Sequence, residues 1–122
     1  MPKKVLVVDD EPDVVKAVWM RLEASGYEVI TAADGHEGAT MALREHPDCI
    51  VLDIGMPKCS GHKVVEILRA SANSMTTPII FLTARTTEGD FLRALDNGVE
   101  KYITKPFHPD DLIAAVTQLT GG

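Results

Sequence analysis

Apolar residues along this chain follow two rhythms that alternate from one end to the other. The first is a short, dense run. It occurs in KVLVVDDEP (Lys4 to Pro12), YEVIT (Tyr27 to Thr31), DCIVLD (Asp48 to Asp53), PIIFLT (Pro78 to Thr83) and VEKYIT (Val99 to Thr104). Within these, VLVV, CIVL and IIFL are continuous rather than alternating. That pattern suits parallel strands covered on both faces and predicts that these three are inner strands. The second rhythm has the period of a helix. Val15, Val18, Trp19 and Leu22 recur at i, i+3, i+4 and i+7, and shorter stripes follow at Ala39, Ala42, Leu43; at Val64, Ile67, Leu68; at Phe91, Ala94, Leu95; and at Leu112, Ala115, Val116, Leu119.

Start and stop signals fall where these rhythms change. Pro12 suits a first helical turn, Gly26 and Gly98 suit helix ends, and Asp34 with Glu37 forms a capping-box pattern. The fourth helix has the weakest signal, because its stripe is short and Thr86, Thr87 and Gly89 at its start invite fraying. Strands alternating with helices through short connections predict an α/β fold with a parallel sheet and right-handed crossovers.

Length and charge narrow the reading. A chain of 122 residues fits one domain and buries roughly two-thirds of its unfolded surface, so it needs no staples to fold. No linker or repeat interrupts it, and residues 1–122 read as a single domain, either a complete small protein or part of a longer one. A net charge of -6, from 18 acids against 12 Lys plus Arg, disfavours direct nucleic-acid or membrane-surface binding. There is no signal region and no apolar stretch of the about 18 residues that a membrane span needs, so the chain reads as cytoplasmic. Cys49 and Cys59 are separated by strand and turn in a way that does not suggest a disulfide.

The strand ends carry the chemistry. In a doubly wound sheet a ligand site lies beyond the carboxyl ends of the strands. Here those ends are Asp9 and Asp10 on the first strand, Asp53 on the third, Thr83 on the fourth, and Thr104 with Lys105 on the fifth. Two carboxylates about 4 Å apart repel by roughly 4 kcal/mol at an effective dielectric of 20. A divalent cation would relieve this, and Mg²⁺ suits an all-oxygen site of a few carboxylates. Zinc does not fit, since no Cys or His has a metal-ligand spacing, and His36, His46, His62 and His108 are expected at the surface. A purely structural alternative has one Asp capping the following helix. It accounts for one acid and leaves two unexplained.

VLVVDDEP, DIGMPKCSG, FLTAR and YITKPF, in this order and spacing, resemble the response-regulator receiver domains of two-component signalling, the family of the bacterial chemotaxis regulator, over nearly the whole chain. The resemblance implies a flavodoxin-like, doubly wound (βα)5 three-layer sandwich with sheet order 2-1-3-4-5. It implies that Asp53 accepts a phosphoryl group from the phosphohistidine of a sensor histidine kinase or a histidine phosphotransfer protein. Mg²⁺ would be held by Asp9, Asp10, Asp53 and the backbone carbonyl of Gly55. Lys105, the Thr83 hydroxyl and the backbone N–H of Ala84 would bind the phosphoryl oxygens, and a cis peptide before Pro106 would aim Lys105 inward. Thr83 and Tyr102 would switch the surface formed by the fourth helix, fifth strand and fifth helix, which acts on a downstream protein or on an effector outside this chain. On this reading the protein accepts phosphate on itself and is not an enzyme with separate substrates.

Some positions depart from the family pattern. Gly55 supplies no side chain two residues after Asp53, and Arg85 lies two after Thr83; both are positions where the family varies and tunes phosphate lifetime. His108 stands where an acidic or hydroxyl cap is common before Pro109, which weakens the predicted start of the last helix. That helix, DDLIAAVTQL, lacks the arginines many DNA-binding response regulators use for dimer salt bridges, which favours a monomer or a different dimer. Two alternatives remain. A Mg²⁺-dependent phosphatase with an aspartyl nucleophile would resemble the haloacid-dehalogenase-like enzymes, which place a second Asp two residues after the nucleophile, where Gly55 stands here. A phosphorylation-independent adaptor is disfavoured because no key residue is missing.

Overall fold

The computed structural model describes residues 2–122. Five parallel strands form one sheet: β1 (Lys4–Val8), β2 (Glu28–Ala32), β3 (Cys49–Leu52), β4 (Ile79–Thr83) and β5 (Lys101–Thr104), in the order β2-β1-β3-β4-β5. The helices α1 (Pro12–Ala24), α2 (Gly35–Glu45), α3 (Gly61–Arg69), α4 (Glu88–Asp96) and α5 (Pro109–Thr120) connect them. The alternation is the one the apolar pattern predicts, and the order is the one the family resemblance implies.

Three layers follow from the two faces of the strands. Val5, Val7, Cys49, Val51, Ile80 and Leu82 pack with Val18 and Leu22 of α1 and with Leu112, Ala115 and Val116 of α5. Their neighbours Leu6, Val8, Ile50, Leu52, Ile79 and Phe81 point the other way, onto Ala39 and Ala42 of α2, Val64, Val65 and Leu68 of α3, and Ala94 of α4. β3 and β4 are buried throughout and β1 is buried after Lys4, whereas the edge strands β2 and β5 are partly exposed. This is why their apolar runs are continuous: each side chain meets a helix whichever way it points, and each buried aliphatic contributes about 1.5–3 kcal/mol.

The structure corrects several local expectations. Tyr27 precedes β2 rather than opening it, and its hydroxyl bonds Thr117 and Thr120 of α5 at 3.2 and 3.1 Å. Val99 and Glu100 lie before β5, because the Glu100 carboxylate accepts the Ile79 N–H at 2.8 Å. Trp19 and Leu43 each leave more than a third of their surface to solvent, so those two stripes bury fewer residues than their period suggests. In α4 the inward pair is Asp90 and Ala94, while Phe91 and Leu95 face outward, Leu95 being 73% exposed. Thr87 does not fray that helix: it is the N-cap, and its hydroxyl accepts the Asp90 N–H at 3.2 Å. His108 makes no side-chain cap bond, as its chemistry predicts.

Candidate functional site

The chain order of the sheet reverses at β1, which has β2 on one side and β3 on the other. Ligand crevices of doubly wound sheets form at such a point. The ladder continues one residue past the strand ends there. The Asp9 N–H donates to Ala32 C=O at 3.2 Å, and the Asp53 N–H donates to Val8 C=O at 3.0 Å. Backbone pairing thus fixes both acids at the carboxyl edge, with Asp9 3% and Asp53 6% exposed. Asp10 is exposed beside them, and one carboxylate oxygen from each of the three lies within 4.8 Å of the others.

Neither Asp9 nor Asp10 is the cap of α1. The N-cap residue is Glu11, without a side-chain cap bond, and Asp9 Oδ1 accepts the Glu11 N–H at 2.9 Å. The structural alternative therefore explains none of the three carboxylates as a helix cap. Glycine shapes the other side of the site. A Cβ on Gly61 would lie 2.3 Å from the Asp53 carbonyl oxygen, so only glycine lets the start of α3 pass this close to the strand end, where the Gly61 N–H donates to Ile54 C=O at 2.9 Å. The Asp53 carboxylate is itself oriented by the Ile54 N–H, 2.7 Å from Oδ1.

Lys105 reaches into this cluster. Its backbone N–H donates to Thr83 C=O at 2.8 Å, and the Lys105–Pro106 peptide bond is cis. Its Nζ lies 2.8 Å from Asp9 Oδ2, 2.8 Å from Glu11 Oε1 and 3.5 Å from Asp53 Oδ2. Burial opposes the ammonium's charge, yet hydrogen bonds to Asp9 and Glu11, with the fields of Asp9 and Asp53, hold its pKa above the ordinary value. Burial pushes the Asp9 carboxyl upward against the hydrogen bonds from Lys105 and the Glu11 N–H, and the Asp53 charge adds to the rise. An internal cation therefore offsets part of the repulsion assigned from sequence to a metal alone. The acids still outnumber it, and an all-oxygen donor set of this span fits Mg²⁺.

The remaining predicted residues surround this centre. Thr83 is fully buried at the end of β4, and its Oγ1 accepts the Arg85 N–H at 3.2 Å. Ala84 and Gly55 are exposed on the loops that follow β4 and β3. Tyr102 on β5 is half-buried, donates from its hydroxyl to Arg85 C=O at 2.6 Å, and lies with its ring centroid 4.2 Å from that of Phe91.

Two groups escape a reading of the sequence. Glu11 shares Lys105 with Asp9, and its adjacency to the paired acids was the available signal. His62, expected at the surface, is 3% exposed, with Nε2 2.9 Å from Asp90 Oδ1. A lone His and an Asp far along the chain carry no spacing signal, because only the packing of α3 on α4 joins them.

Similarity to known proteins agrees with this architecture. The sequence model of the response regulator receiver domain matches residues 5–117. The chain is 46% identical to the alkaline phosphatase synthesis transcriptional regulatory protein PhoP of Bacillus subtilis over 116 residues, which is 95% of this chain and 48% of that protein. It is 44% identical to the transcriptional regulatory protein KdpE of Mycobacterium tuberculosis over 111 residues, 90% of this chain and 47% of the relative. The chain thus spans about half the length of these curated relatives. Among solved structures, chemotaxis protein CheY4 of Vibrio cholerae superposes with a TM-score of 0.91 at 33% identity, covering 98% of this chain and 99% of the other. The receiver domain of sensor histidine kinase PA1611 of Pseudomonas aeruginosa, solved with a magnesium ion coordinated in its active-site cleft, superposes with a TM-score of 0.90 at 30% identity over the full length of both. The chain belongs to the response-regulator receiver domain family of two-component signalling.

Proposed function

We propose that this domain is a Mg²⁺-dependent phosphoryl acceptor whose nucleophile is Asp53. The observation that carries this reading is the convergence of Asp53 with Asp9 and Asp10 within 4.8 Å, with Lys105 Nζ 3.5 Å from Asp53 Oδ2. Asp9, Asp10, Asp53 and the Gly55 carbonyl would hold the metal. Bound there, Mg²⁺ supplies the charge neutralisation that lets an anionic phosphoryl group approach an anionic carboxylate.

The donor is the phosphohistidine of a sensor histidine kinase or histidine phosphotransfer protein. An Asp53 Oδ forms the new O–P bond as the N–P bond breaks, and the electron pair leaves with the imidazole nitrogen, which takes a proton from water. Lys105 pairs with one equatorial oxygen. The Thr83 hydroxyl, which accepts from the Arg85 N–H, keeps its own proton to donate to a second oxygen, and the Ala84 N–H serves a third. The product stays on the protein, so this is an acceptor in a relay rather than an enzyme turning over separate substrates.

Thr83 also couples the site to the surface. Drawing its Oγ1 toward the phosphoryl group would take the acceptor away from the Arg85 N–H, whose own carbonyl is held by the Tyr102 hydroxyl. The face of α4, β5 and α5 then changes for a downstream protein or for an effector outside residues 1–122. Incubation with acetyl phosphate and Mg²⁺ tests the reading. Wild type should take up one acid-stable, hydroxylamine-labile phosphate, and chelation of Mg²⁺ or Asp53→Asn should abolish it. Equal labelling of Asp53→Asn would refute the assignment.

A further inference from the structure

Beneath α4 lies a polar cluster for which the phosphoacceptor chemistry has no use. Asp90 is 5% exposed, yet its carboxylate receives four donors. Oδ2 takes the Thr87 hydroxyl at 2.7 Å and Arg85 Nε at 3.2 Å, and Oδ1 takes Arg85 Nη2 at 3.4 Å and His62 Nε2 at 2.9 Å. The Thr87 hydroxyl above all, with His62 and Arg85, holds the Asp90 carboxyl down to about 2 against the opposing effect of burial. Asp90 is therefore a charged acceptor at neutral pH, and His62 Nε2 is the donor. Its other nitrogen, Nδ1, is buried without a hydrogen-bond partner among the described residues. Burying an imidazole with one nitrogen unsatisfied costs stability, so the bond it does make has something to do.

The cluster faces the phosphoacceptor through Arg85. Its side chain runs along the loop that follows Asp53, and a Cβ on Gly55 would sit 3.7 Å from Arg85 Cδ. Nothing at position 55 bars it from Asp53. The Arg85 side chain is 53% exposed, so the Asp90 carboxylate, rather than packing, decides where its guanidinium points. Thr87 and Arg85 lie in the segment that leads directly into α4, within five residues of Asp90. Among the described residues, His62 is the one hydrogen-bond partner that ties the Asp90 carboxylate to a different element, α3, where its ring also packs edge-on against Phe81 with centroids 5.3 Å apart.

We infer that His62 is a positioning residue for the phosphoacceptor site: through Asp90 it keeps the Arg85 guanidinium on α4 and off the phosphoryl group carried by Asp53. The inference rests on the proposed function. Once Asp53 bears a phosphoryl group, Arg85 has two anions to choose between. Freed from Asp90, it pairs with the phosphoryl oxygens and covers the acyl phosphate, excluding the water that hydrolyses it. Hydrolysis breaks the Asp53 O–P bond, with water oxygen bonding phosphorus and the carboxylate leaving with the electron pair. The His62–Asp90 pair therefore shortens the life of the phosphorylated state.

A double-mutant cycle on phosphate decay tests this. Wild type, His62→Leu, His62→Gln, Arg85→Ala and His62→Leu/Arg85→Ala are phosphorylated with acetyl phosphate and Mg²⁺. The donor is then removed and loss of phosphate is followed. His62→Leu should lengthen the lifetime by up to about fivefold, the shift expected from losing a half-exposed ion pair. Gln, which carries an amide N–H at the reach of Nε2, should restore a wild-type lifetime. In the Arg85→Ala background His62→Leu should change nothing. If Leu at this site prevents folding, Asp90→Asn with and without Arg85→Ala gives the same cycle. An equal effect in both backgrounds, or none with Arg85 present, overturns the inference and leaves the phosphoacceptor reading standing. Failure of wild type to take phosphate on Asp53 overturns both.

Discussion

Lys105→Met removes one positive charge from the centre of the site while keeping side-chain length, and the structure sets the size of the effect. Asp9 and Asp53 present oxygens within 4.8 Å of each other, a repulsion of roughly 3–4 kcal/mol at an effective dielectric of 20. Lys105 offsets it from 2.8 Å and 3.5 Å. Its removal leaves Asp9 buried and unpaired, and a broken pair in this setting costs roughly 2–4 kcal/mol. For a domain of this size that is a fall in melting temperature of roughly 10 °C at pH 7. The pH dependence follows from Asp9. Burial raises its pKa, so its ionised form disfavours folding, and that penalty is absent below the ordinary carboxylate pKa and grows as pH rises through the folded value. Loss of Lys105 deepens the penalty, and the deficit should shrink toward pH 4. Mg²⁺ has to compete with the ammonium for Asp9 in wild type, so the variant should bind Mg²⁺ more tightly and gain more stability from it. Thermal melts with and without Mg²⁺ measure the first effect. Fluorescence of Trp19, the one tryptophan, which lines the same groove as Asp9 and Asp10, measures the second. A metal-free variant as stable as wild type, or one that binds Mg²⁺ more weakly, would refute the reasoning.

Other substitutions probe the supports of the site. Asp90→Asn should flatten the acid limb of the stability curve: a carboxyl held at about 2 contributes stability above its ordinary value that is lost as pH falls from about 4 to 2, an effect of roughly 1–2 kcal/mol in urea unfolding at stepped pH. Gly61→Ala puts a methyl group 2.3 Å from the Asp53 carbonyl oxygen and should cost more than about 3 kcal/mol in chemical denaturation. Tyr102→Phe removes the bond to Arg85 C=O; stability should fall by about 1 kcal/mol, and hydrogen exchange at residues 84–88 should quicken.

Legibility in the sequence followed physical necessity. The inner strands were readable because double coverage makes VLVV, CIVL and IIFL apolar at every position, and the acids were readable because they end two of those strands, β1 and β3. Lys105 could be placed at the same rim but not paired, since its contacts with Asp9 and Glu11 span more than ninety residues of chain. The stripe of α4 misled because Phe91 covers Tyr102 rather than the core while Asp90 turns inward, against the usual preference of a carboxylate. Asp90 is tolerated there only with His62, Thr87 and Arg85 around it, and no local pattern announces those partners.

The most direct measurement is chemical. Borohydride reduces an acyl phosphate to a homoserine side chain, so phosphorylated protein can be reduced, digested and mapped by mass spectrometry. Homoserine should appear at position 53 alone, dependent on Mg²⁺ during phosphorylation. Modification at position 9 or 10 with none at 53, or the same yield at 53 without divalent metal, would contradict it.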